Sequence, residues 1–311
     1  MRDKIYLAAF LLAAGFLLYL GRDLLPSSVL LTWGLTFGGT SAISILLVVL
    51  YRVQAQLSAS RHELARKEAE LHFALEVQKA LFPRRFPCNQ GLEFSGACIP
   101  ARGISGDYYD VLSLPDGRLA FAIADISGKG ISAAILMANL QALLRTHAPA
   151  SPTPGQLCAK LNNHLADVMD ESRFATLFYA EWDPRDNILR YVNAGHNVPI
   201  TLGSLERARL TLGGYPLGIF PGAEFEVGEA RLQHGDVLVL YSDGITEATS
   251  TSGEEFGELR LRELMEKLRG DALSDLPKRV IDEVLAWSGK DPHDDMTIVI
   301  VRANQKTMEV P

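Results

Sequence analysis

The sequence predicts an α+β fold, a β-sandwich flanked by helices, preceded by a two-helix transmembrane hairpin and a helical connector. Three observations lead to this prediction. Beyond residue 87, short apolar or alternating runs are separated by turn residues, which is the pattern of β-strands. Helical periodicity recurs there in paired stretches without regular β-α alternation, which favours antiparallel sheets with helices outside. Near the N-terminus, two long stretches carry no charged residue.

Residues 1–51 are predicted to form the transmembrane hairpin. The second uncharged stretch, Val29–Tyr51, has 23 residues and is long enough to cross about 30 Å of hydrocarbon as a helix. The first, Ile5–Leu20, has 16 residues and is marginal for a span. A signal peptide is its alternative interpretation, although no small-residue cleavage site follows it. Basic residues before the first stretch and after the second place both ends in the cytoplasm, so we expect a multi-pass protein of the cytoplasmic membrane that contacts membrane lipids.

Residues 52–86 are predicted to form a helical connector, because they are rich in strong helix formers and contain no Gly or Pro before Pro83. Leu57, Leu64 and Leu71 repeat every seven residues. One leucine per heptad fits either a solitary solvated helix or a dimeric coiled coil. We expect a homodimer formed through this connector.

The charge of the chain argues against nucleic acid as a partner. Residues 1–90 hold 10 Lys and Arg against 6 Asp and Glu, so the remainder holds 20 against 31. Binding to phosphate backbones needs clustered basic residues, which an acidic domain lacks. The three cysteines form no C-x-x-C pair, which is typical of a reducing compartment and argues against a zinc finger.

The C-terminal domain is predicted over residues 87–305, followed by a tail at 306–311. Turn sequences such as P-D-G at 115–117 join neighbouring strands as hairpins. The predicted helices cover residues 129–146, 154–169, 258–269 and 275–287. The predicted strands are Leu92–Cys98, Tyr108–Leu112, Arg118–Ile126, Phe174–Trp182, Ile188–Asn193, Phe225–Leu232, Val237–Tyr241 and Met296–Val301.

Aspartates recur where an apolar strand begins or ends beside a glycine or a turn. They lie in S-G-D (105–107), A-D-I-S-G (124–128), S-D-G (242–244) and D-D-M-T (294–297). Because strand ends converge in a sandwich, these carboxylates can meet at one edge. Oxygen ligands without His or Cys suit Mg²⁺ or Mn²⁺ better than zinc. Such a cluster fits attack by water on phosphorus, assisted by two metal ions.

Five ordered motifs resemble those of the PPM-type metal-dependent serine/threonine phosphatases, in their bacterial SpoIIE/RsbU-like branch. The resemblance covers residues 74 to 302, including V-Q-K-A-L-F-P at 77–83, and implies the sandwich fold of that family. The motifs are S-G-D-Y-Y-D (105–110), A-D-I-S-G-K-G (124–130), N-A-G-H-N (193–197), Y-S-D-G (241–244) and D-D-M-T (294–297).

The resemblance implies a role for each of five residues around two Mn²⁺ or Mg²⁺ ions. Asp125 would bridge both ions, and the carbonyl of Ile126 would join the second. Asp243 and Asp294 would hold the first ion. Asp107 would serve the second, directly or through water.

Other residues of the motifs have weaker or open assignments. Asp295 is the less favoured neighbour of Asp294, and Lys129 either helps to hold phosphate or is an exposed lysine near a helix start. N-A-G-H-N is interpreted as a turn between strands, so His196 is not favoured as a catalytic acid. Many eukaryotic relatives have a histidine at the position of Ser127. They also have a phosphate-binding arginine before the first motif, a role that we do not assign to Arg102.

The function that these residues predict is a membrane-anchored protein serine/threonine phosphatase. By resemblance, its substrate is a phosphorylated regulatory protein, for example an anti-sigma-factor antagonist in sigma factor regulation. A nucleotidyl or diguanylate cyclase is one alternative, but S-G-D-Y-Y-D lacks the continuation of such enzymes. A non-catalytic membrane signalling scaffold is the other, and the intact aspartates at all four places argue against it.

Overall fold

The computed structural model describes residues 10, 12–17, 19–20, 26–87, 91–101, 103–170, 172–205, 209–289 and 292–304. The predicted tail at 306–311 lies outside these residues. The chain divides into two compact units, Met1–Ala69 and Glu70–Pro311. Helix α1 (Ser27–Lys79) is continuous over 53 residues, so the predicted second span and most of the predicted connector are a single helix.

The first part of α1 has the composition of a membrane-spanning helix. Its most apolar 18-residue window has a mean hydropathy of 1.8. The hydroxyls of Thr32, Thr36 and Thr40 donate to carbonyls one turn earlier, at 2.8, 3.0 and 2.9 Å, so these polar groups have partners within the helix itself.

The structure does not support the predicted multi-pass hairpin. Among the described residues, α1 is the single helix long and apolar enough to cross a membrane. The predicted first span, Ile5–Leu20, lies partly outside the described residues, and its described positions at 12–17 and 19–20 are helical. A helix of that length reaches about 24 Å, which is short of a hydrocarbon core of about 30 Å.

The second unit contains two β-sheets. The first has four strands in the order β1-β10-β9-β6, and the second has the order β2-β3-β4-β5-β7, with β8 also paired to β5. All pairs are antiparallel except β5 with β7. The strands are β1 (Leu92–Ile99), β2 (Tyr108–Ser113), β3 (Leu119–Ile126), β4 (Ala175–Asp183), β5 (Ile188–Ala194), β6 (Ile200–Leu202), β7 (Gly213–Gly214), β8 (Gly228–Arg231), β9 (Val237–Tyr241) and β10 (Met296–Ala303).

Helices cover the outer face of each sheet, which gives four layers and three apolar interfaces. One interface joins α2 and α3 to the larger sheet, the second lies between the sheets, and the third joins the smaller sheet to α5 and α6. This confirms the predicted β-sandwich with helices outside. The helices after α1 are α2 (Ile131–His147), α3 (Pro154–Val168), α4 (Asp243–Thr246), α5 (Gly257–Lys267) and α6 (Leu276–Ser288).

Strand β3 shows how the sequence specifies these layers. Its residues alternate between small side chains that face α2 and α3, such as Ala122 and Ala124, and large ones that face the other sheet, such as Phe121 and Ile123. Both faces are buried, so the strand is a nearly continuous apolar run. The run brings Asp125 to the end of the strand, where the site lies.

The structure corrects the prediction at three strands. The predicted strand Phe225–Leu232 is limited to β8, and the sequence pattern did not predict β6 or β7. Strand β6 has three residues, and β7 consists of two glycines. A Cβ at Gly213 would lie 2.0 Å from the carbonyl oxygen of Asn193, so β7 needs glycine for close approach and carries no β-forming side chain.

Candidate active site

The four aspartate motifs lie at the same edge of the sandwich, and each sheet carries two of them. Asp107 precedes β2 and Asp125 is the penultimate residue of β3, its antiparallel neighbour. In the other sheet, Asp243 follows β9 and Asp294 precedes β10, which are also antiparallel neighbours. The antiparallel pairing brings each pair of motifs to one end of its sheet.

The carboxylates are close enough to affect one another. Burial, followed by the charge of Asp125, raises the pKa of Asp107 well above its usual range. Burial, followed by the charges of Asp243 and Asp294, raises the pKa of Asp125 to about 7. Burial and then Asp294 also raise the pKa of Asp243. The site therefore has an excess of negative charge that a bound cation would neutralise.

The donor set fits a hard divalent cation. Oδ2 of Asp107 and Oγ1 of Thr297 are both buried, and neither has a hydrogen-bond partner among the residues that the structure describes. Gly106 lies directly beside two of the predicted ligand oxygens. A Cβ at this position would lie 3.1 Å from the Ile126 carbonyl oxygen and 3.6 Å from Oδ1 of Asp125, so glycine leaves the space around these oxygens free. Within the described part of the chain, no three side chains of the ligating types already surround one point. The fit therefore rests on the all-oxygen chemistry and on the unpartnered buried oxygens.

The neighbouring carboxylates of D-D-M-T have different surroundings. Asp295 accepts three hydrogen bonds, from the backbone N–H of Ala101 at 2.8 Å, the hydroxyl of Ser105 at 3.0 Å and the backbone N–H of Gly106 at 2.7 Å. The Asp294 side chain is 45% exposed, and its Oδ2 accepts from Nζ of Lys129 at 2.6 Å. Asp295 thus holds the loop before Asp107 in place, whereas Asp294 faces the open side of the site.

The end of α1 is fixed to this loop through Gln78, which is buried. Its Nε2 donates to the Ser105 carbonyl at 2.7 Å, and its Oε1 accepts from the Ser105 N–H at 2.9 Å. The hydroxyl of Ser105 also accepts from the N–H of Asp107 at 3.0 Å. Sequence reasoning gave neither residue a role, although Gln78 lies within V-Q-K-A-L-F-P and Ser105 begins S-G-D-Y-Y-D, both of which it singled out.

The motif residues with weaker or open assignments differ in burial and in hydrogen bonding. The ring of His196 is buried, and burial lowers its pKa to about 4, which argues against an acid exposed to substrate. Ser127 fixes the loop after β3 to the segment before β4, because its hydroxyl accepts a hydrogen bond from the Phe174 N–H at 2.8 Å. A cavity of about 130 Å³ beside Asp294 is lined in part by Lys129. Arg102 lies outside the described residues.

Comparison with known proteins gives both a family and a fold. The family Stage II sporulation protein E (SpoIIE) matches residues 115–304. Phosphoserine phosphatase RsbU of Bacillus subtilis is 29% identical over 238 residues, which are 76% of this chain and 70% of RsbU. The SiaA-PP2C domain of Pseudomonas aeruginosa is 17% identical with a TM-score of 0.67, covering 78% of this chain and 98% of that domain. The catalytic domain of serine threonine protein phosphatase PstP, solved in complex with 2 manganese ions, is 17% identical with a TM-score of 0.52. The match covers 69% of this chain and 99% of that domain.

The structural likenesses show that the second unit has the PP2C phosphatase fold. The family match covers well over half of the chain and includes four of the five motifs; S-G-D-Y-Y-D, at 105–110, lies just before it. The resemblance seen in the motifs is therefore confirmed. The chain belongs to the SpoIIE family of PPM-type phosphatases.

Proposed function

We propose that this protein is a metal-dependent serine/threonine phosphatase that hydrolyses phosphoserine or phosphothreonine on a regulatory protein. The observation that carries the proposal is the convergence of carboxylates from both sheets, with Oδ2 of Asp107 buried and without a hydrogen-bond partner in the described part of the chain. RsbU, which is named a phosphoserine phosphatase, supports the reaction, and the manganese-bound PstP domain supports the cofactor. We propose two Mn²⁺ or Mg²⁺ ions per site.

Five residues would hold these ions. Asp125 would bridge them, with Asp243 and Asp294 on one side and Asp107 and the Ile126 carbonyl on the other. Two bound cations supply Lewis acidity that activates water and neutralises phosphoryl charge.

Other residues prepare the site for this chemistry. Gln78 and Asp295 orient the Ser105 loop, which presents Asp107 from the larger sheet. Lys129 pairs with Asp294 in this structure; if Asp294 held a cation, the Lys129 ammonium would be available to bind a substrate phosphate oxygen. The side chain of Ser127 is engaged with Phe174, so we propose that solvent protonates the leaving alkoxide.

We also propose that α1 anchors the enzyme to the cytoplasmic membrane, with the catalytic unit in the cytoplasm. Its first half is apolar, and the hydroxyls of Thr32, Thr36 and Thr40 donate to carbonyls within the helix. In its second half, Leu57 and Leu64 are exposed, which supports a homodimer formed through the connector. The substrate that suits the family likeness to RsbU is a phosphorylated regulator, such as an anti-sigma-factor antagonist.

Substrate choice tests the proposal. The full chain in detergent micelles, supplied with Mn²⁺, is incubated with p-nitrophenyl phosphate, a phosphoserine peptide, or ATP and GTP. We expect phosphate release from the first two and no cyclic or dinucleotide product. Asp125→Asn should abolish phosphate release, whereas Asp167→Asn, an exposed aspartate on α3, should not. A cyclised or dinucleotide product, or the same phosphate release by Asp125→Asn, would contradict the proposal.

A further inference from the structure

An apolar loop, residues 215–222, lies beside the end of the larger sheet that carries Asp125. Leu217 in this loop exchanges two backbone hydrogen bonds with Ala175, at 2.7 and 2.9 Å. On its other side, Ala175 pairs with Ile126 in the register of β4 and β3. Neighbouring strands are about 4.8 Å apart, so Leu217 lies roughly 10 Å from Ile126, a proposed ligand. A substrate bound at the site therefore extends to this loop.

Two adjacent asparagines of α3 fix the backbone of the apolar loop. The buried side chain of Asn162 accepts from the Gly218 N–H at 2.9 Å and donates to the Phe220 carbonyl at 2.8 Å. The side-chain oxygen of Asn163 accepts from the Gly222 N–H at 2.8 Å. The loop thus has a set shape before any partner binds, which lowers the entropy lost on binding.

The fixed loop holds apolar side chains in solvent. Tyr215 is 66% exposed and Phe220 is 52% exposed, and their rings meet edge to face with centroids 5.1 Å apart. Ile219, beside Phe220, is also exposed. Ile131 and Ile135 are exposed one turn apart at the start of α2, which follows the loop after β3. Single exposed apolar residues are ordinary, whereas a group of them at one edge marks a contact surface.

The charge and position of this surface indicate which partner it fits. Residues 210–227 contain no Lys or Arg and include Glu224 and Glu226. Apolar surfaces that bind anionic membranes are surrounded by basic residues, so a lipid surface fits poorly. A phosphoprotein substrate, by contrast, must bring the residues around its phosphorylated side chain to this edge. About 10 Å corresponds to about three residues of extended chain.

We infer that the apolar loop, together with Ile131 and Ile135, binds apolar side chains of the substrate that lie about two to four residues from the phosphorylated serine or threonine. The inference rests on the proposed phosphatase function and names a substrate class for it. Binding removes the exposed rings and the substrate's apolar groups from water, which lowers the KM for such a substrate. p-Nitrophenyl phosphate has no flanking residues, so its turnover does not depend on the loop.

The test compares two phosphoserine peptides of equal length, one with leucines and the other with serines at the second to fourth residues on both sides. The enzyme is the full chain in phosphatidylcholine nanodiscs with Mn²⁺. We expect the wild type to hydrolyse the leucine peptide with a kcat/KM that is roughly tenfold or more higher, mainly through KM. Tyr215→Ser combined with Phe220→Ser should remove most of this preference and keep kcat/KM for p-nitrophenyl phosphate within about twofold of wild type.

Leu259→Ser is the matched control, because Leu259 is exposed on α5, which covers the outer face of the smaller sheet. It should keep the preference for the leucine peptide. Ile135→Ser is a second variant that should weaken the preference, so the inference stays testable if the double variant does not fold.

Three results would overturn this inference alone. One is a wild type that does not prefer the leucine peptide, or a preference that persists in the double variant. Another is a double variant that loses turnover of p-nitrophenyl phosphate at an unchanged Tm, because the loop would then act on catalysis. The third is an effect of the double substitution that occurs only when phosphatidylserine is added to the nanodiscs, which would assign the loop to the membrane surface. Absence of phosphate release from every substrate by the wild type would overturn the proposed function itself.

Discussion

Asp294 and Asp295 are adjacent in the chain, but substitution by Asn should affect a different property at each position, activity at Asp294 and stability at Asp295. Asn is nearly isosteric with Asp but has one oxygen in place of two and carries no charge. Asp295 uses both oxygens to accept hydrogen bonds from the loop before Asp107. Asp294 is bonded to Lys129 at the half-exposed mouth of the site. We therefore expect Asp295→Asn to impair stability first and Asp294→Asn to impair activity.

The magnitudes follow from these contacts. In Asp295→Asn, the new NH₂ group faces at least one former donor, and hydrogen bonds to charged groups contribute about 1.5–3 kcal/mol each. A loss of about 2–4 kcal/mol should lower the Tm by roughly 5–15 °C for a domain of this size. An exposed ion pair such as Asp294–Lys129 contributes at most about 1 kcal/mol, so its loss should shift the Tm by less than about 4 °C. Removing a metal ligand should lower kcat about a thousandfold.

The assay is thermal unfolding of the metal-free full chain, followed by circular dichroism, together with phosphate release from p-nitrophenyl phosphate in Mn²⁺. Asp167→Asn serves as the control for removal of an exposed carboxylate. The reasoning is refuted if Asp294→Asn keeps wild-type kcat while Asp295→Asn loses activity at an unchanged Tm, because Asp295 would then be the ligand.

Three further predictions concern the helix, the site charge and the connector. Gln78→Leu should lower kcat about tenfold in saturating Mn²⁺ because it loses both hydrogen bonds to Ser105, whereas Lys79→Gln, at an exposed position, should not change kcat. Equal kcat values for both variants would show that the Gln78–Ser105 hydrogen bonds have no effect on turnover. The raised pKa of Asp125, about 7, exceeds the value of about 3.9 for an unfolded carboxyl, so the native state binds more protons in between. The Tm of the metal-free protein should therefore fall as pH rises from about 4 to about 7, and an identical slope in Asp125→Asn would contradict this assignment. One or two alanines inserted after Leu71 should rotate the helix by about 100° or 200° and change activity in membranes, whereas seven should nearly restore it; equal activity for all lengths would make the connector a tether.

Local sequence patterns predicted the elements that depend on local chemistry. Strand β9 lies at the residues predicted for it, Val237–Tyr241, because five buried apolar residues lie between turn residues. The aspartate motifs at strand ends were also visible in the sequence, since turn residues and glycines mark where strands stop. Antiparallel pairing then brings those ends together.

Features set by contacts between distant residues were not predictable in this way. The bond between Gln78 and Ser105 spans 27 residues, and that between Asp295 and Ala101 spans 194. Nothing local distinguishes Asp295 from Asp294, or an inward His196 from one in an exposed turn. Each assignment needs the position of the neighbouring strand, which the sequence pattern does not provide.

The central claim is that the carboxylates of both sheets form a two-cation site that performs phosphate hydrolysis. The most direct test counts bound Mn²⁺ by calorimetry in the sample whose phosphate release is then measured, for wild type and Asp125→Asn. We predict about two Mn²⁺ per chain in the wild type, activity that is lost in chelator and restored by Mn²⁺ or Mg²⁺, and loss of both binding and activity in Asp125→Asn. Full phosphate release in excess chelator, or Asp125→Asn that turns over at the wild-type rate, would contradict the claim.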